Sequence, residues 1–180
     1  AKVFNQPVYT VTVLDYNKAL FELSDWIEPT KPAGKQMIYV EATAAGKDQF
    51  FGQTLKLEKG KTYTMAYQYK FLEGDMDERV YLRVKAELGS GVYKTYYDSS
   101  KTGADGFDLK TDKQTCTAFY TFTHQQETGV YGVGFQLAAP TKLCLADVTM
   151  YDTNDADKTN LLPACNDEHS LEGWRGDWTA

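Results

Sequence analysis

The chain has 180 residues, a formal net charge of −6 and a pI near 4.9, a length that suits one domain with an appended segment. The acidic balance argues against nucleic acid, whose phosphates demand a basic stripe, and against an anionic membrane surface. No apolar run approaches the roughly 20 residues of a membrane-spanning helix and no charged-then-apolar leader opens the chain, so the expectation is a soluble protein, with any leader already removed, that takes a neutral ligand.

Thirteen Tyr, 9 Phe and 14 Gly against 5 Pro favour pleated strands and turns over helices. In chain order the alternation predicts strands over 8–14, 37–42, 49–57, 62–71, 79–87, 91–97, 116–123, 129–137 and 141–151, with one short candidate helix over 15–23. Turn-rich pieces separate them at 27–35, 73–78 and 98–113. This spacing predicts an all-β fold, a two-sheet antiparallel β-sandwich. The clearest strand is 62–71, where Tyr63, Met65, Tyr67, Tyr69 and Phe71 alternate with mostly polar residues, the period-two pattern of a half-buried strand. A Glu58-Lys59-Gly60 turn joins it to the strand before. Beyond Tyr151 the chain turns polar, so 1–152 is read as the sandwich. Residues 153–180 are a linker or tail, either the start of a following module or a segment packed back on the sandwich.

Catalytic chemistry finds little support. His124 and His169 stand near no Ser, Cys or paired carboxylate in a recognisable motif and read as solvated or capping residues. Gly129-Val130-Tyr131-Gly132-Val133-Gly134 has dinucleotide-like glycine spacing without a following helix, and reads as a strand lacking side chains on one face. Cys116, Cys144 and Cys165 lack zinc or redox spacing and read as small buried hydrophobes, with a Cys116–Cys144 pair left open. No enzyme is expected.

Strand parity then gives a binding surface. If Val80, Leu82, Val84 and Ala86 face the core, Tyr81, Arg83, Lys85 and Glu87 face out; if Tyr120 and Phe122 face in, Phe119 faces out; if Val133, Phe135 and Leu137 face in, Gly132, Gly134 and Gln136 face out. With Gln68 and Tyr96 this predicts one exposed sheet carrying aromatic platforms beside amides and long cations. That mixture suits a sugar, whose C–H face stacks on an aromatic ring and whose hydroxyl rim seeks donors and acceptors.

Several segments resemble the jelly-roll carbohydrate-binding modules of families four, nine and twenty-two: Leu57-Glu58-Lys59-Gly60-Lys61-Thr62-Tyr63, Phe119-Tyr120-Thr121-Phe122-Thr123, the closing Asp147-Val148, and Phe21-Glu22 with Trp26. Asn160-Leu161-Leu162 through Trp174 is similar to the opening of such a module, so the full-length protein is expected to string modules together. The resemblance implies a jelly roll with ligand across one sheet, Gln136 as the polar residue on the strand before last, Phe50 in the place of a stacking Trp, and Trp26 in the core. It also implies a structural calcium held by Glu22 and Asp147, although Ala146 replaces one further acidic ligand. The expected function is therefore non-catalytic binding of a polysaccharide (a soluble glucan, starch-type α-glucan, β-glucan or xylan) within a secreted or surface-attached multi-domain polysaccharide-degrading system. The alternative is a structural or adhesion sandwich making protein–protein contacts.

Overall fold

A computed structural model describes residues 3–6, 9–14, 37–42, 48–73, 80–89, 92–98, 108–112, 117–138 and 141–162. All regular structure among them is strand: β1 (Val3–Gln6), β2 (Tyr9–Leu14), β3 (Met37–Ala42), β4 (Asp48–Leu57), β5 (Thr62–Glu73), β6 (Val80–Gly89), β7 (Val92–Asp98), β8 (Asp108–Asp112), β9 (Thr117–Thr123), β10 (Gly129–Ala138) and β11 (Thr141–Asp152). The candidate helix 15–23 and the turn-rich piece 27–35, with Trp26, lie outside the described residues, as do Cys116, Cys165, His169, Trp174 and Trp178. The all-β, antiparallel class is as expected, with two strands more than the alternation predicts. β1 and β8 form the two edges of their sheet, and β8 falls inside the predicted turn-rich piece 98–113. An edge strand pairs on one side only, and the one apolar position of β8, Leu109, is paired in register with the buried Tyr120.

The strands form a seven-stranded sheet, β1-β2-β3-β11-β5-β9-β8, and a four-stranded sheet, β4-β10-β6-β7. Their inner faces share one sandwich-like core. Tyr67 of β5 meets Phe135 of β10 edge-on at 5.0 Å, and Tyr97 of β7 lies 4.7 Å from Phe122 of β9, so aromatic contacts run from one sheet to the other. The parity read for β5 holds, with Tyr63, Met65, Tyr67 and Tyr69 all buried. Phe51 stacks on Phe135 at 5.4 Å, and both belong to the core with Leu57, Leu82, Val84 and Val133. At about 25 cal/mol for each Å² of apolar surface removed from water, these aromatic side chains are the main stabilising contribution.

One end of the two sheets is closed by paired crossovers. The turn 58–61 carries the chain from β4 in one sheet to β5 in the other, and 124–128 returns it from β9 to β10. Lys61 N–H donates to the Glu58 carbonyl at 3.2 Å and Gly60 has φ +90°, the third position of a type II turn, which favours glycine. The crossovers bond to each other: Gly60 N–H donates to the His124 carbonyl and His124 N–H to the Lys61 carbonyl, both at 2.8 Å. Lys59 N–H donates to Thr128 Oγ1 at 3.0 Å, and Glu58 N–H to the Tyr63 hydroxyl at 2.9 Å. Each residue of the Leu-x-x-Gly-x-Thr-Tyr segment therefore has a local task. Leu57 fills the core, Gly60 makes the turn, Thr62 lies 2.9 Å from Thr123 across the strand pair, and Tyr63 ties the turn to the sheet.

Residues 153–162 return to the sheet. Asp155 organises the turn, accepting from Asp157 N–H and Thr159 N–H at 3.0 Å each, which holds its carboxyl below the usual range. Asn160 Oδ1 accepts from Met150 N–H and Leu162 N–H, Leu161 N–H donates to the Met150 carbonyl at 2.7 Å, and Leu162 is buried in the core. The core thus extends past residue 152 to Leu162, while 163–180 lie outside the described residues.

Candidate functional site

The register of the four-stranded sheet brings three expected residues side by side. Gln136 of β10 is paired with Phe50 of β4 on one side and with Tyr81 of β6 on the other. Positions directly opposite in antiparallel strands share a face, so the three form one cross-strand row. It lies on the face opposite Phe51, Phe135 and Leu82, which are core. The next row on that face is Gly52, Gly134, Arg83 and Asp98, and the one after it Thr54, Gly132, Lys85 and Thr95.

Two expectations about this surface are corrected. The predicted single sheet does not exist: Gln68 lies on β5 and Phe119 on β9 of the seven-stranded sheet, while Tyr81, Arg83, Gln136 and Phe50 lie on the four-stranded one. Parity fixes which way a residue points relative to its own strand, and sheet membership is set by long-range pairing that parity does not see. Within the parity reading Phe119 is indeed turned away from the core, 36 % exposed. The second correction concerns openness. Gln136 is only 4 % and Lys85 2 % exposed, Gly132 and Gly134 are buried, and Arg83 is half-buried.

Gly134 also explains the glycine run better than a bare patch does. A Cβ there would strike the Phe51 carbonyl group and the Gly52 Cα, so the pair Gly52–Gly134 is where the backbones of β4 and β10 come too close for any side chain. Beside it Gln136 keeps an amide oxygen that makes no hydrogen bond among the described residues. A buried carbonyl oxygen left so carries a desolvation cost of about 1–3 kcal/mol, which a hydroxyl donor arriving in the row would relieve.

Tyr96 belongs elsewhere. The register of β7 shifts between its pairings to Val84 and Lys85, and Tyr96, in that irregularity, packs half-buried against the core, edge-on to Tyr131 at 5.9 Å with Lys94 Nζ 5.3 Å from its ring. It is a packing residue at the crossover end and takes no part in the Phe50–Gln136–Tyr81 row. Of the proposed calcium ligands, Glu22 lies outside the described residues. Asp147 is described by its backbone, in a register shift of β11 against β5 between Ala146 and Thr149. Such a bulge takes a residue out of the ladder. Among the described residues no group of three or more His, Cys, Asp or Glu could hold a metal.

The residue whose environment the sequence concealed most is His124. In place of the expected solvated or capping side chain it is fully buried, 4.6 Å edge-on from the Tyr131 ring and 5.9 Å from Tyr97. Its Nε2 lies 3.1 Å from the Glu127 carbonyl, which also accepts the Tyr131 hydroxyl at 2.6 Å. A carbonyl only accepts, so Nε2 carries the hydrogen and Nδ1 accepts from the Tyr97 hydroxyl at 3.4 Å. The Tyr97 oxygen in turn accepts Gln125 N–H at 2.7 Å. Burial, and then the neighbouring Tyr96 and Tyr97, push the Tyr131 phenol above its ordinary range.

No family model matches the chain, and no curated protein matches it. Among solved structures it is similar to a chain of the "Glycosylation Associate Protein (Gap123) complex from Streptococcus agalactiae", at 13 % identity and a TM-score of 0.40. The match covers 67 % of this chain and 38 % of that one.

Proposed function

We propose that the protein is a non-catalytic glycan-binding module that holds a polysaccharide on the four-stranded sheet, along the Phe50–Gln136–Tyr81 row. The observation that carries this reading is the register: two aromatic residues flank an amide whose buried oxygen has no hydrogen-bond partner among the described residues. An aromatic–amide–aromatic row matches a pyranose, with C–H faces for the rings and a hydroxyl for Gln136 Oε1. Arg83 in the neighbouring row adds a guanidinium for the hydroxyl rim. Because Gln136 is withdrawn from water, the ligand meets it at the bottom of the row and not on an open plane. The sequence resemblance to jelly-roll carbohydrate-binding modules agrees with this placement and extends it to a secreted, multi-domain context with glucan or xylan as ligand. Gln68, Phe119 and Tyr96 have no part in the proposed site.

Isothermal titration against malto-, cello- and xylo-oligosaccharides tests the reading. It expects binding to at least one series that is lost in Gln136→Leu and Tyr81→Ala and kept in Phe119→Ala. Absence of heat with every neutral glycan, together with salt-sensitive binding to a protein, moves the assignment to an adhesion sandwich. The associated calcium, with Glu22 and Asp147 as ligands and backbone carbonyls completing the shell, expects a lower melting temperature in excess chelator. An unchanged melting temperature removes it.

A further inference from the structure

The sheet edges among the described residues are not alike. β1 and β8 span four and five residues, and β7 is broken by two register shifts against β6, with Lys94 between them. Shortness, irregularity and an edge lysine all keep a strand from pairing with another chain. β4 is neither short nor irregular: its ten residues match β10 from Asp48 to Leu57 without a break, and it stands at the end of the strand order. We infer that β4 is the edge by which two copies of this chain associate, antiparallel about a two-fold axis at Gly52, joining their four-stranded sheets into one of eight strands.

Charge and parity together select a second copy as the partner. Asp48 and Lys56 are the charged residues of β4, and Gly52 stands midway between them. A two-fold axis perpendicular to the sheet keeps the faces of both copies in common, so residues opposite each other have the same parity and one residue faces itself. With Gly52 on the axis, Asp48 comes opposite Lys56 of the second copy at both ends of the contact, and Phe50 opposite Thr54. Moving the axis by one residue, to Phe51 or Gln53, loses both opposite-charge pairs. Opposite charges across a strand pair stabilise it and like charges destabilise it. Gly52 on the axis brings no side chain against its own copy, and Thr54 and Lys56 are exposed. One added strand pair buries little beside the roughly 1,600 Å² of a standard interface, so the association depends on concentration. The outer face of the joined sheet carries two Phe50–Gln136–Tyr81 rows, with their Phe50 positions offset by about 13 Å along the strands. Their use by a single polysaccharide rests on the glycan reading; the pairing of β4 does not.

Sedimentation velocity and hydrogen exchange on the whole chain, without glycan, test the contact. The mass is expected to rise from 20.3 kDa toward twice that value between about 1 μM and about 1 mM, with amide protection gained along β4 and not along β7 or β8. Lys56→Asp sets like charges opposite each other at both ends and is expected to weaken association about tenfold or more. Asp48→Lys combined with Lys56→Asp exchanges the two signs and is expected to restore it. A chain that stays monomeric at about 1 mM overturns the inference. So does protection gained outside β4, a Lys56→Asp chain that associates as tightly as the wild type, or a double variant that stays as weak as the single one. Should the variants not fold, the wild-type mass and protection decide alone. No readout involves a glycan, so failure of the glycan reading leaves each of them standing.

Discussion

The two ends of the four-stranded sheet are built on opposite terms. At the crossover end the polar groups around a buried histidine find one another: Nε2 with the Glu127 carbonyl, Nδ1 with Tyr97, Tyr97 with Gln125 N–H, Tyr131 with the Glu127 carbonyl. Toward the other end, on the face away from the core, Gln136 is buried to nearly the same degree and its amide oxygen is left without such a bond among the described residues. A buried polar group that is bonded rigidifies a fold, and one that is not is a standing cost retained where something else supplies the partner. Under the proposed function, that contrast is the one between scaffold and site.

Substitutions sharpen that contrast, beginning with the one between the two ends. Gly134→Ala forces a methyl group into the Phe51–Gly52 backbone, and since backbone cannot rotate away, urea unfolding should register a loss of roughly 3 kcal/mol, the upper range for overpacking. His124→Ala removes a buried ring and its hydrogen bond to the Glu127 carbonyl, and is expected to cost about 2–3 kcal/mol in the same measurement. Gln136→Leu should behave oppositely. Removing an amide oxygen that lacks a bond leaves stability unchanged or raised, by no more than about 1–2 kcal/mol. It should abolish glycan binding. A destabilisation of Gln136→Leu as large as that of His124→Ala would collapse the distinction.

Smaller effects belong to ligand binding and to acid pH. Tyr81→Ala should weaken oligosaccharide binding by about 1–3 kcal/mol, the range for losing an aromatic anchor, by an amount that titrations at low and high salt find equal because a neutral ligand has no charge to screen. The smallest effect concerns Asp155, whose carboxyl is held below its ordinary value by Thr159 N–H and then Asp157 N–H. A group whose pKa is lower in the folded state adds stability above its unfolded pKa and loses it as pH falls through the folded one. Asp155→Asn should therefore flatten the acid limb of the stability profile below about pH 4 and leave neutral pH less affected than His124→Ala does.

Much of the fold was legible because alternation is a local signal. Tyr63 to Tyr69 point inward as their spacing requires, Leu82 and Val84 follow the same rule, and Phe119 points away from the core. The glycine of the turn could be read from its type. What alternation could not reveal was β8, whose Asp108-Leu109-Lys110-Thr111-Asp112 carries one apolar residue and lies at a sheet edge. Nor could it reveal the burial of His124, a residue flanked in sequence by Thr123 and Gln125 and enclosed in space by rings from β7 and β10.

By itself, then, the sequence determined nine of the strands among the described residues, the inward side of β5, β6 and β10 where their side chains are described, and the turn at Gly60, since each depends on neighbours within a few residues. Which strands share a sheet was decided only in three dimensions. Gln68 and Phe119 went to one sheet, and Phe50, Tyr81, Arg83 and Gln136 to the other. Pairing partners separated by tens of residues are chosen by the joint packing of two faces, which no single segment encodes. The same long-range choice set Gln136 between Phe50 and Tyr81, and closed the far end of the sheet around His124.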